Sequence, residues 1–390
     1  MLNRKSPGYI SACLLLKVLL ASIFGCDRQV RAEPVDPHVV LEGLRKAGLD
    51  DGDEELEVLA SRFIGSDLQA IGSWELELEE WLDLERELRE HPQHESTRLG
   101  RYLLAEICWV LSHDGLDEYG AEAESLAAEL LEEIPDCAPV VLLGSYIVCD
   151  RLDDNELALK LATRAASLDP GNPAPANFQG KICYYERDLR TARDHYEDAI
   201  RRDPTFISAY SNLAQLMIYE SEYEKAAEYA KQGIRIDEGY PYPHLYLGRV
   251  YDRWNRVEDA AAEFSRFIEL HPRSDSGYIR MANLYRYEDR FEEARPFYLK
   301  AIEVEPWNSS TYSFYGWGLM DVKEFDAARF YLQKALELDP EDDDDREKLS
   351  ELYLLLSELE FRSGNTRMED PPDPQGDYFV EQLIRTRRLD

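Results

Sequence analysis

Apolar residues recur along the chain at helical spacing, three and four apart, in runs of about a dozen separated by Gly, Asn, Asp or Pro. No stretch alternates apolar and polar residues as a half-buried strand does, so the pattern predicts helices and no sheet. A pair of such helices cannot bury its own apolar stripe. Each pair must lean on its neighbours, and stability then accumulates along an array whose ends need covering.

The array has a ruler. Pro170, Pro204, Pro272, Pro306 and Pro340 are spaced on a period of 34 residues, and Glu238 fills the one empty mark. Six units then begin at Pro139, Pro173, Ile207, Pro241, Asp275 and Ser309. Their twentieth position is Ala throughout, at Ala158, Ala192, Ala226, Ala260, Ala294 and Ala328. Small residues at fixed marks let two antiparallel helices cross at about 8–10 Å.

These marks resemble the tetratricopeptide repeat family. The fourth unit carries His244, Leu247, Gly248 and Tyr251 on its first helix (A), Ala260, Phe264 and Phe267 on its second (B), then Pro272. The fifth repeats the pattern with Tyr278, Ala282, Tyr285, Ala294, Tyr298, Ala301 and Pro306, and the sixth with Tyr312, Gly316, Ala328, Leu332, Ala335 and Pro340. The first unit matches least, because Tyr146 occupies the small eighth position. The resemblance implies an all-α, right-handed α-solenoid of stacked helix-turn-helix repeats with helical caps, serving as a scaffold for a protein or peptide partner. It implies no reaction and no cofactor.

Around residues 139–342 the organisation is less regular. Arg101 to Val110 and Ala121 to Ile134 read as a degenerate repeat within 101–138, preceded by an acidic helical region over 33–100. On the other side, Arg346 to Phe361 gives a capping helix within 343–361, its acidic start facing the positive end of the helix dipole. Residues 362–376, rich in Pro, Gly and Asp, read as a linker to an amphipathic segment at 377–390, which could fray, pack on the cap or occupy the chain's own groove.

A formal net charge of -35 argues against nucleic acid and against an anionic membrane surface as partners. Residues 1–32 have the layout of a secretory signal: Arg4 and Lys5, then an apolar run from Ile10 to Phe24 that is shorter than a membrane span and broken by Lys17. Ile23, Phe24, Gly25 and Cys26 resemble a bacterial lipobox with Cys26 as the lipidated residue, whereas Val30, Arg31 and Ala32 resemble an ordinary signal-peptidase site. Either implies export, as a periplasmic or cell-envelope lipoprotein in the first case and as a secreted protein in the second, and an uncleaved anchor or a cytosolic chain is the remaining reading.

Six cysteines make no disulfide framework. Cys149 and Cys183 fall at the same mark of successive units, about 10 Å apart and beyond the roughly 7 Å that a bridge spans, and Cys108 also lies on an apolar run. All three are expected to be buried as small hydrophobes, while Cys137 falls between helical runs with no assignable state. His94 and Glu95 begin a zinc-protease-like motif that fails at Arg98, and His91, His94 and His113 as a metal set are outweighed by the commoner surface histidine. No phosphate-cradling loop, nucleophile elbow or paired CxxC occurs, so no enzyme, metal or cofactor is expected.

In the family, helix A lines the concave groove. Mapped by position, the candidate peptide-binding residues are Asn177, Lys181 and Tyr185, then Asn212, Gln215 and Tyr219, then Tyr242, Tyr246, Arg249 and Arg253, then Arg280, Asn283 and Arg286, and finally Trp317. Aromatic faces, amides and guanidinium forks suit an extended peptide. The opposing reading has the arginines paired with acids of neighbouring helices. The family's grip on a chaperone's C-terminal carboxylate is not reproduced, since Tyr242 and Tyr246 stand where Lys and Arg are required. The alternative function is an accessory or regulatory subunit of an enzyme complex, docked through the repeats.

Overall fold

The computed structural model describes residues 48–49, 78–90, 96–113, 116 and 118–339. The signal segment with Cys26, the capping helix, the linker and the C-terminal segment lie outside these residues. Among the described residues there are fifteen α-helices and no strand. They are α1 (Leu78–Glu90), α2 (Arg98–His113), α3 (Glu118–Glu133), α4 (Ala138–Leu152), α5 (Asn155–Leu168), α6 (Ala174–Tyr185), α7 (Leu189–Arg202), α8 (Ile207–Tyr219), α9 (Tyr223–Ile236), α10 (Pro241–Arg253), α11 (Val257–Leu270), α12 (Asp275–Tyr287), α13 (Phe291–Val304), α14 (Ser309–Asp321) and α15 (Phe325–Leu338). None of the described helices is long and apolar enough to cross a membrane.

The chain divides into two compact units, Met1–Val250 and Tyr251–Asp390. In the first, α2 pairs with α3, α4 with α5, α6 with α7 and α8 with α9, and each pair packs on the next. In the second, α12 pairs with α13 and α14 with α15, stacked through α13 and α14. Consecutive helical hairpins packed in this way form an α-solenoid.

The hairpin crossings explain the small residues. All six twentieth-position alanines are fully buried. A Cβ on Gly180 would lie 2.6 Å from the Tyr196 ring of the paired helix, and one on Gly316 would lie 2.8 Å from Leu332. In the first unit of the ruler Tyr146 departs from this rule because its ring leaves the hairpin crossing. It stacks on Trp109 of α2 at 5.4 Å and meets Phe178 of α6 edge-on at 4.3 Å, so a bulky side chain joins three successive A helices. Ser145 beside it closes the crossing with a 2.7 Å bond to the Ala158 carbonyl.

The backbone explains the gap in the proline ruler. Tyr210, Tyr278 and Tyr312 each donate to the carbonyl of the proline six residues earlier, Pro204, Pro272 and Pro306, at 2.9–3.1 Å. His244 makes the same contact to the carbonyl of Glu238 at 3.2 Å. What the repeat uses is the carbonyl, which Glu supplies as well as Pro. The turn between helices A and B has its own mark: Asp153, Arg187, Ser221, Asn255, Asp289 and Lys323 all have φ between 51° and 66°. Each is followed by an amide that bonds back to the helix, as Asp188 N does to Cys183 O at 2.9 Å, which is the helix stop usually built on glycine.

Cys108, Cys137 and Cys183 are buried free thiols and Cys149 is half-buried. The expected full burial of Cys149 is thus relaxed, because its Sγ lies 3.4 Å from the Asn155 side chain near the surface.

Candidate functional site

On the A-helix face of the first unit, two hydrogen bonds join three successive repeats. Asn212 Nδ2 of α8 donates to Asn177 Oδ1 of α6 at 2.8 Å, and the Tyr246 hydroxyl of α10 donates to Gln215 Oε1 of α8 at 3.1 Å. These residues sit at the fifth, sixth and ninth marks of their units. Stacked repeats bring those marks within reach of a single hydrogen bond, and amides can serve as donor on one side and acceptor on the other.

Lys181 is half-buried beside Asp150 and Cys149, and burial pulls its ammonium below the usual lysine range against the pull of Asp150. Burial also pushes the Tyr246 phenol well up, so that hydroxyl remains a donor at neutral pH. Tyr185 and Tyr219 are 64% and 51% exposed, and Tyr184 touches both edge-on at 5.8 and 6.2 Å. Tyr242 packs on Tyr240 at 6.0 Å, and the Arg249 guanidinium lies 5.7 Å from the Tyr246 ring centre. Contacts thus connect Asn177 with Asn212, Tyr246 with Gln215 and Arg249, and Tyr185 with Tyr219 through Tyr184, while Lys181 and Tyr242 have other neighbours.

In the second unit the equivalent residues are engaged differently. Asn283 accepts from the buried Tyr298 hydroxyl of its own B helix at 2.6 Å. Arg286 donates to Asp321 at 2.7 Å, the pairing with a neighbouring helix that the opposing sequence reading describes. Arg253 and Arg280 are exposed, and Trp317 is half-buried with its ring edge-on to Phe314 at 5.3 Å.

Two residues of this face escaped the sequence reading. Tyr184 stands at the twelfth mark of its unit, next to Tyr185 and packed between it and Tyr219. Arg187 belongs to the left-handed turn after α6, and nothing in the helical pattern signals that its side chain folds over Tyr219, 5.0 Å from the ring centre. Of the histidines considered for a metal, His91 and His94 lie outside the described residues, as does the side chain of His113. Among the described residues no cluster of His, Cys, Asp or Glu is gathered that could hold a metal ion.

Residues 276–306 and 310–342 match the family model described as Tetratricopeptide repeat. No curated protein sequence matches the chain at a significant level. Among solved structures, the chain is similar to one described as the APC/C hetero-tetramer Cut9-Hcn1, with a TM-score of 0.57 and 13% identity. That match covers 80% of this chain and 59% of the other, so the chain spans less than two-thirds of that structure's length. It is also similar to the yeast Tom70, with a TM-score of 0.55, 16% identity and coverage of 88% and 70%. A tetratricopeptide repeat protein from Parabacteroides merdae matches with a TM-score of 0.50, 17% identity and coverage of 64% and 99%. At these identities the likeness is one of fold. Residues 276–306 and 310–342 thus match tetratricopeptide repeats, and the helical-hairpin fold of the described residues is the fold of these structures.

Proposed function

We propose that this tetratricopeptide-repeat chain is a non-catalytic scaffold that holds an extended segment of a partner protein along the A-helix face of α6, α8 and α10. The observation that carries the reading is the pair of inter-repeat bonds, Asn212 to Asn177 and Tyr246 to Gln215, which fix a row of amides beside exposed tyrosine rings. Fixed amides can pair with the backbone of an extended chain, and rigid aromatic faces add contact area at low entropic cost. The B helices offer a contrasting surface, laced with short-range ion pairs such as Lys160–Glu156 at 2.5 Å, whose charges are already satisfied.

The test is site-specific photo-crosslinking in the full chain. A crosslinking side chain at Tyr219 is expected to capture the partner, and one at Leu157, on the B-helix side and 40% exposed, is not. Equal capture from both positions would remove the A-helix face from the reading.

The same proposal places the protein outside the cytoplasm, tethered through a lipid on Cys26, in envelope assembly or secretion. Its support is the signal-like layout of residues 1–32 and the Ile23 to Cys26 motif. Mass spectrometry of the mature chain should find a lipidated Cys26 as the first residue; a mature chain that begins after Ala32 would replace tethering by secretion.

A further inference from the structure

In the first unit most described cations are neutralised within the fold. Arg151 pairs with Glu124 at 3.1 Å, Arg164 with Asp136 at 2.9 Å, Arg202 with Asp198 at 2.8 Å, and Arg193 with Glu220. Arg187 and Arg249 are different. Neither has a carboxylate partner among the described residues, although the chain carries 79 Asp and Glu, and each lies over a tyrosine ring instead.

Tyr184 connects them. Its ring meets Tyr219, the ring under Arg187, and its hydroxyl lies in the field of both the Arg249 and the Arg187 guanidiniums. Burial nevertheless pushes the Tyr184 phenol up, so it keeps its proton at neutral pH. As a protonated phenol it has one hydrogen to donate. Two guanidiniums and a protonated phenol are thus gathered beside the open rings of Tyr185 and Tyr219.

We propose that Tyr184, Arg187 and Arg249 form an anion-receiving node, and that its ligand is the side-chain carboxylate of an acidic partner segment with Pro or an aromatic residue beside it. The carboxylate takes charge-assisted bonds from the guanidiniums and the phenol. The neighbouring flat side chain packs on Tyr185 or Tyr219. This inference rests on the proposed partner-binding role of the face and adds the chemistry of the segment. Charge complementarity favours it: on a chain of net charge -35, two arginines held over tyrosine rings of one face rather than on internal acids are a local positive feature that an acidic ligand would exploit.

A library of random twelve-residue peptides displayed on phage and selected against the full chain tests it. The selected peptides should carry Asp or Glu next to Pro, Tyr, Phe or Trp. A synthetic peptide from that set, measured by fluorescence anisotropy, should lose about tenfold or more in affinity with Arg249→Ala, with Arg187→Ala, and when its acid is replaced by the amide. The peptide's amide form should then be insensitive to Arg249→Ala, while Arg164→Ala, remote on α5, should bind as wild type. Selected peptides without acids, or acidic peptides indifferent to both arginines, would overturn the node but leave the face as a binding surface. Absence of any selected peptide, or capture insensitive to Asn212→Ala and Tyr219→Ala as well, would overturn both.

Discussion

The two units differ in whether the charged groups of their A-helix face are paired within the fold. In Tyr251–Asp390 polar groups are closed on the fold: Asn283 is bound to Tyr298, Arg286 to Asp321, and the buried carboxylate of Asp275 receives Asn308 and Thr311 at 2.6 and 3.0 Å. In Met1–Val250 the links between repeats are made by neutral groups, Asn212 to Asn177 and Tyr246 to Gln215, and Arg187 and Arg249 lie over tyrosine rings with no acid partner among the described residues. One repeat register therefore supports either self-satisfaction or readiness for a ligand. The choice is made by single residues, such as Asp321, which supplies the acid that Arg286 requires.

The largest expected effect contrasts two buried carboxyls. Asp275 has two strong side-chain donors, whereas Glu106 on α2, 8% exposed, has the Tyr102 hydroxyl at 2.5 Å. Burial pushes the Glu106 carboxyl from its ordinary 4.5 up to about 7, with the Tyr102 bond pulling the other way. A folded value above the unfolded one means the folded state binds the extra proton between those two pH values. The stability contribution of the protonated acid is therefore complete below about pH 4.5 and is lost as pH rises through 7. Glu106→Gln should raise stability at pH 8 relative to wild type by up to roughly 3 kcal/mol and abolish this slope. Hydrogen exchange of α2 amides at pH 5 and pH 8 reads the effect locally, and an unchanged pH slope in the variant would show that Glu106 is not the source.

A smaller effect tests the shared register. Ala294→Leu should destabilise α13 against α12 by about 1–3 kcal/mol, because a fully buried crossing has no room for the added atoms. Glu292→Leu, two residues away with its side chain 77% exposed, should be nearly neutral. Equal melting shifts at the two positions would break the assignment of the crossing.

The smallest effect bears directly on the difference between the faces. Arg286→Ala removes a guanidinium that is 13% exposed and bound to Asp321, and should cost about 1 kcal/mol. Arg249→Ala removes one with no acid partner, so its stability change should stay within about 0.5 kcal/mol. A loss at Arg249 as large as that at Arg286 would mean the first unit also uses its cations for its own fold.

The architecture was legible in the sequence because it is repeated and local. Helical spacing, six alanines at one mark and a 34-residue period constrain each hairpin through contacts close in sequence, and the same steric rule acts six times. The candidate face was legible only as a set of positions, and the sequence left two readings of its arginines open. Tertiary structure decided between them residue by residue, because an ion pair such as Arg286–Asp321 depends on an acid 35 residues away reaching the right point in space. It also decided features with no composition signal: the Tyr146 ring between Trp109 and Phe178, the Glu238 carbonyl in place of a proline's, and Arg187 carried over Tyr219 by a left-handed turn. The sequence by itself thus determined the repeat, since packing of small against large residues is written at fixed spacing. Which side chains remain free to meet a partner follows from directional bonds between groups that only the stacked repeats bring together.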